Sequence, residues 1–202
     1  HWPRGIKAKG QMRSQFHHVI DIAPTILEAA KLPAPTIVNG VMQEPLHGVS
    51  MLYSFDDAQA GERHETQYFE MLCNRGIYHK GWTAVTKHRT PWDTGQVQTI
   101  AFDDDVWELY DTSKDWSQAN DLAKEQPDVL HRLQQLWLLE AAKYNVLPLD
   151  DRFAERGDSK IAGRPELIKG NRQIVYGGLT RVPSLAMVNM ANKSYAITAE
   201  IQ

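Results

Sequence analysis

The sequence has 202 residues, 42% of them hydrophobic and 23% charged, with a net charge of −3, values that suit a globular chain of one or two domains. Lys and Arg are dispersed among acids, which leaves no footprint for nucleic acid or an acidic membrane, and no apolar run approaches the ~18 residues of a membrane span. The single cysteine, Cys73, excludes an internal disulfide.

The chain opens His1-Trp2-Pro3 without an initiator methionine and closes on an alternating, strand-like run from Ser194 to Gln202. Both ends read as cuts through folded structure, so the sequence is expected to be a fragment of a longer protein, or a protein seen in part. Residues 1–10 read as a strand end and a turn, because Trp2-Pro3 disfavours helix and Gly5 and Gly10 punctuate. Residues 16–22 form a short strand-like or turn segment. It carries His17 and His18, whose adjacent side chains on a strand face opposite ways and do not suit one metal ion. A helix follows, with Pro24 near its start, Asp21 and Thr25 as candidate caps, and Ile26, Leu27 and Ala30 at helical spacing. Pro33 and Pro35 stop it after Leu32. Ser50 is expected to cap a short helix. The polar run 56–66 is a solvated loop.

Thr66–Leu72, Gly76–His79 and Trp82–Thr86 are strand candidates rich in aromatic and β-branched residues. Turns are expected at Asn74-Arg75-Gly76 and Lys80-Gly81. A loop at Thr90–Gly95 and a strand at Val106–Tyr110 complete an antiparallel meander. An Asp-rich turn (Asp111, Ser113, Asp115) leads to Asn120-Asp121-Leu122-Ala123. Gln126–Tyr144 is a helix. Pro127 suits its first turn, and Val129, Leu130, Leu133, Leu136, Trp137 and Ala141 make an apolar stripe that needs a sheet to cover. Residues 145–172 read as an extended connector and 173–202 as a return to β character. No repeat or low-complexity tract is present.

Two stretches together resemble a known family. The first is Trp2-Pro3, then Asp21-Ile22-Ala23-Pro24-Thr25-Ile26-Leu27, then Gly48-Val49-Ser50-Met51-Leu52. The second is Trp107-Glu108-Leu109-Tyr110-Asp111 followed by Asn120-Asp121-Leu122-Ala123. Their order is similar to the C-terminal portion of bacterial type I arylsulfatases, the sulfatase family of the alkaline phosphatase superfamily, across roughly residues 1–150. The resemblance implies an α/β (alkaline-phosphatase-like) fragment in three parts. Residues 1–55 end the α/β core, 56–147 form a small antiparallel sheet packed by a long helix, and 148–202 are a connector and the start of a further β-rich module.

The resemblance also implies the chemistry: hydrolysis of organic, aryl sulfate esters to sulfate and an alcohol or phenol. The nucleophile would be a formylglycine made from Cys in Cys-x-Pro-Ser-Arg or Cys-x-Ala-x-Arg, and Ca²⁺ held by Asp and Asn or Gln would polarise the sulfate. Cys73-Asn74-Arg75-Gly76-Ile77 matches neither motif, so Cys73 reads as a small, semi-buried strand residue. Asp103-Asp104-Asp105 reads as a solvated turn rather than a hard-metal site. Gly48-Val49-Ser50-Met51-Leu52 lacks the final glycine of a nucleophile elbow.

No catalytic and no metal-binding residue is therefore expected in this chain. The partner it requires is the N-terminal catalytic domain of the same protein, which carries the nucleophile and the Ca²⁺, with a small sulfate ester as substrate. Alone, the chain is expected to be inactive. His88, Arg89 and Trp92 are the candidate substrate-binding residues, because cations, an imidazole and an aromatic on an inter-strand loop suit an anionic aryl ester; the same loop also reads as solvated, with Trp92 packed inward. The alternatives are a phosphate or phosphonate ester hydrolase of the same superfamily, and a non-catalytic structural or binding domain.

Overall fold

The computed structural model describes residues 2–90, 92, 101–152, 160–161, 163, 166, 168–175, 177–178, 187–194 and 196. Residues 1–151 form one compact unit and residues 152–202 a second. The loop expected over Thr90–Gly95 is described only at Thr90 and Trp92, and the strand-like run from Ser194 to Gln202 lies almost wholly outside the described residues.

The first unit begins with a tight 3-10 turn at Val19–Asp21 that runs into helix α1, Ile22–Ala30. The helix ends two residues before the expected stop. Lys31 adopts a left-handed conformation (φ 56°) and donates its N–H to the Glu28 and Leu27 carbonyls, closing the helix without the prolines. A small exposed hairpin, β1 (Ile37–Val38) and β2 (Val41–Met42), follows. Helix α2 is a single turn, Leu52–Phe55, and Ser50 Oγ accepts the Leu52 N–H at 3.3 Å.

Four strands then form the expected meander: β3 (Thr66–Met71), β4 (Asn74–His79), β5 (Trp82–Thr86) and β6 (Trp107–Asp111), antiparallel and in sequence order. Lys80 and Gly81 supply the β4–β5 turn with φ of 48° and 84°, the double positive φ that matches strand twist. The β3–β4 turn differs from expectation. It sits at Leu72-Cys73, also with positive φ, and Glu70 Oε1 secures it by accepting the Cys73 N–H at 2.7 Å. Asn74, Arg75 and Gly76 are therefore paired strand residues.

Strand alternation puts Tyr68, Ile77, Ala84 and Leu109 in one row across the sheet. That row meets Leu133, Trp137 and Ala141 of helix α3, Pro127–Lys143. This is the apolar core, and each fully buried aliphatic in it contributes roughly 1.5–3 kcal/mol before entropy. Trp137 is among its largest members, and its indole N–H donates to the Phe69 carbonyl at 3.1 Å, tying helix to sheet.

The connection from β6 to α3 is held by carboxylates. Asp121 Oδ1 accepts the N–H groups of Leu109 and Ala123, and the Leu122 N–H donates to the Leu109 carbonyl. Asp115 Oδ2 accepts the N–H groups of Ala119 and Asn120. The Asp and Asn residues of this motif thus fold a backbone path that has no helix or strand of its own. In the second unit the described structure includes a short hairpin, β7 (Ile168–Lys169) with β8 (Arg172–Gln173).

Trp137→Phe is expected to cost about 1 kcal/mol through the lost hydrogen bond, and Trp137→Ala about 3–5 kcal/mol through the cavity. Urea unfolding of the two variants checks this. A Trp137→Phe variant as stable as the parent would mean that the indole N–H to Phe69 adds nothing.

Candidate functional site

The buried side chains of Asp21 and Asp105 each gather partners from distant segments of the first unit. Asp21 is wholly inaccessible. Its oxygens accept the His18 N–H at 2.8 Å, the Val49 N–H at 2.7 Å and the His64 Nδ1–H at 2.8 Å. One turn on, Thr25 Oγ1 donates to the Asp21 carbonyl and accepts the Met51 N–H. Asp21 was read as a helix cap and does occupy that position in α1, where its side chain makes no capping bond; its one capping bond is to the His18 N–H that opens the preceding 3-10 turn. It ties together segments far apart in sequence instead. Gly48 is required at this junction, because a Cβ there would lie 2.1 Å from the Ile20 carbonyl oxygen.

Burial pushes the Asp21 carboxyl up, but the N–H groups of His18 and Val49 and the His64 ring outweigh it and hold the carboxyl below its usual value. Burial holds the imidazoles of His17 and His18 below their usual value.

The second carboxylate is Asp105, almost fully inaccessible at the side chain. Arg75 Nη2 donates to it, and His88 Nδ1 lies 3.0 Å from both its oxygens. The Arg75 guanidinium sits over the rings of Trp107, Phe102 and Trp137 at 5.2–5.7 Å, a placement that favours a cation. His88 stacks on Phe102 with ring centroids 4.5 Å apart, and its Nε2 faces the Asp151 carboxylate at 3.8 Å. Asn74 Oδ1 accepts the N–H groups of both His88 and Arg89, and Arg89 Nη1 donates to the Asp151 carbonyl at 2.8 Å.

The candidate residues therefore fall in distinct settings. His88 is buried at the base of the loop, Arg89 is partly exposed and braced on Asp151, and Trp92 is 83% exposed rather than packed inward. Asp105 is not a solvated turn residue. It shares strand parity with Trp107 and Leu109, and that period-two pattern is the signal in the sequence that would have placed it inward. Asn74, Arg75, His64 and Asp151 were missed, since their partners lie 14–62 residues away.

Among the described residues no group of three or more His, Cys, Asp or Glu side chains is set to hold a metal ion. Asp21 and Asp105 are saturated by N–H donors, and Cys73 is wholly buried. The described residues do not fit the calcium and formylglycine site that the resemblance implies.

A family model described as "N-sulphoglucosamine sulphohydrolase, C-terminal" matches residues 1–141. The chain belongs to this family. An uncharacterized sulfatase of Schizosaccharomyces pombe is similar to it, with 28% identity over 150 residues, 69% of this chain and 24% of that protein. Two solved structures also resemble it. One is a protein from a Bacteroides thetaiotaomicron locus for the metabolism of multiple glycosaminoglycans, at 21% identity, TM-score 0.46, covering 71% of this chain and 28% of that one. The other was solved in complex with its substrate D-glucosamine-2-N,6-O-disulfate, at 20% identity, TM-score 0.42, covering 66% and 25%. The chain thus spans about a quarter of the length of these relatives.

Asp105→Asn leaves the Arg75 charge buried without its counter-ion, and an expected loss of about 3–5 kcal/mol follows. Denaturant unfolding measures it, and a loss under about 1 kcal/mol would show that the three rings carry the cation unaided.

The pH dependence has a definite sign. His17 and His18 bind protons in the unfolded chain below their ordinary 6.5 but are held lower when folded, so stability falls as pH drops from there. Asp21, held below its ordinary 3.8, adds a second fall at lower pH, present in the parent and absent in Asp21→Asn. Unfolding free energies across this range test both, and a profile flat through the histidine range would contradict the first.

Proposed function

We propose that this chain is the C-terminal part of a sulfatase that hydrolyses organic sulfate esters to sulfate and an alcohol or phenol. The family match over residues 1–141 carries this reading. The nucleophile and metal ligands lie in the remaining part of the polypeptide, with which this chain acts, and alone it is inactive. Without a nucleophile or a metal-activated oxygen it has no means of lowering the barrier to ester cleavage.

Within that enzyme, Arg89 and Trp92 contact the substrate and His88 holds the loop that carries them. The support is geometric. The loop base is fixed by Asn74, Asp105 and Asp151, while the Trp92 ring faces solvent. A cation and an exposed aromatic three residues apart on one loop suit an aryl sulfate, the anion paired with Arg89 and the ring against Trp92. The family description favours a second substrate class, a sulfated glucosamine.

The longer polypeptide is expected to release sulfate from 4-nitrophenyl sulfate or from a sulfated glucosamine, and to stop when chelated. Residues 1–202 alone are expected to release none. Trp92→Ala is expected to raise KM several-fold for an aryl ester with kcat little changed, the mark of lost binding common to ground and transition states. Steady-state assays on both substrates decide the class. Hydrolysis of phosphate esters but no sulfate ester would overturn the proposal.

A further inference from the structure

Helix α3 carries more apolar surface than the sheet beneath it covers. Leu133, Trp137 and Ala141 are buried in the core. Beside them Val129, Leu136 and Leu139 continue the three-and-four spacing along the flank of the helix, and Leu139 is 67% exposed. These three residues line a groove of about 450 Å³ whose other side is made by Trp82 and His79. Trp82 opens β5 and His79 closes β4, so the Lys80-Gly81 turn holds them together. Trp82 also packs against the core, which fixes its place. The volume lies within the roughly 300–1,000 Å³ of small-molecule sites.

The ionisable groups on this groove are all basic. Arg132, His131 and His79 line it, and no Asp or Glu does, although acids outnumber Lys and Arg in the chain by 25 to 22. Arg132 enters none of the ion pairs among the described residues, even with Asp128 one turn before it on the same helix. At the adjoining turn Glu65 is already paired with Lys80 at 2.9 Å. The His79 ring is held through Nδ1, 2.8 Å from Thr66 Oγ1. A guanidinium pairs with planar anions through parallel N–H groups, and an indole offers a broad apolar face for a ring. The groove joins these two features on one wall each.

We infer that this groove is a binding site for a small aromatic anion, a ring bearing a sulfonate, sulfate or carboxylate. The ring lies against Trp82, Val129 and Leu136, and the anion sits on Arg132. Charge complementarity selects the anion, since every ionisable side chain lining the groove is basic. The indole selects a ring over an alkyl chain, because aromatic pairs gain beyond their buried area. The site is built wholly from α3 and the β4–β5 turn. It shares no residue with the Arg89 and Trp92 loop, and it stands whether or not the longer polypeptide cleaves sulfate esters.

The test uses the longer polypeptide and the probe 4-benzoylbenzenesulfonate, cross-linked by light and mapped by peptide mass spectrometry. The expected result is saturable cross-linking within residues 129–139, displaced by 2-naphthalenesulfonate. Arg132→Glu and Leu139→Glu each lower it at least about five-fold, the worth of a charge-assisted pair at a partly exposed site. Both positions are exposed, so neither change disturbs the core, and thermal melting of each variant checks this. Lys9→Glu, outside the groove and equal to Arg132→Glu in charge change, keeps full labelling. No saturable labelling in this segment, or labelling unchanged in either groove variant, would overturn the inference. So would an equal loss in Lys9→Glu, which assigns the effect to net charge. Displacement by neutral 2-naphthol or by 1-octanesulfonate as strong as by 2-naphthalenesulfonate would overturn the aromatic anion as occupant. Sulfate release is read in parallel and is expected to be unchanged in Arg132→Glu. A protein that labels in the groove but cleaves no sulfate ester sinks the functional proposal alone.

Discussion

The Asp21 carboxylate is the constraint on which the first unit depends. Taking an ionised carboxylate out of water costs several kcal/mol unless charge-stabilising hydrogen bonds replace the solvent. Here the replacements come from three separated segments, at His18, Val49 and His64. Each donor removed leaves part of a buried charge unsatisfied, so the three segments are held as a set. His64 lies two residues before β3, and Val49 lies next to Gly48 on the loop against α1. The carboxylate therefore fixes how the helix at the chain's start meets the sheet that follows it. It also sits at the positive end of α1, where a negative charge is favoured by the helix dipole.

The parts of this architecture that repeat with a period were legible in the sequence. The four strands, their order and the long helix followed from alternation in Tyr68, Ile77, Ala84 and Leu109 and from the three-and-four spacing of Leu130, Leu133, Trp137 and Ala141. The two carboxylate centres were not. Asp21 looks like a helix cap and Asp105 like the third acid of a solvated run, because nothing local records that their partners are 28, 43 and 30 residues distant. The β3–β4 turn was misplaced for a related reason. Leu72 and Cys73 are poor turn formers, and they hold positive φ because Glu70 captures the Cys73 N–H. The glycine of Asn74-Arg75-Gly76 was the stronger local signal and the weaker determinant.

The Asp105 centre has a different purpose from the hydrophobic core beside it. A buried ion pair is poor value as a stabiliser, since well-packed apolar residues of similar volume often do as well or better. What an apolar replacement cannot do is aim a loop. Asp105 holds His88, Asn74 holds the next backbone N–H groups, and Asp151 takes Arg89, so the chain leaves β5 in one direction. The Arg75 cation, flanked by three rings, donates to the same carboxylate.

The two centres also differ in what surrounds them, and that difference bears on how the molecule is assembled. The Asp105 centre is roofed by this chain's own rings and helix. The Asp21 centre is closed below by His64 and Val49, but the helix it starts is left bare above, with Ile22 and Ile26 facing out. Rigidity at a bare apolar surface costs conformational freedom with no local return. It has a return when another surface arrives, because a helix already fixed in place loses little further entropy on contact. A buried charge with three distant donors thus fixes an apolar helix whose Ile22 and Ile26 stay exposed.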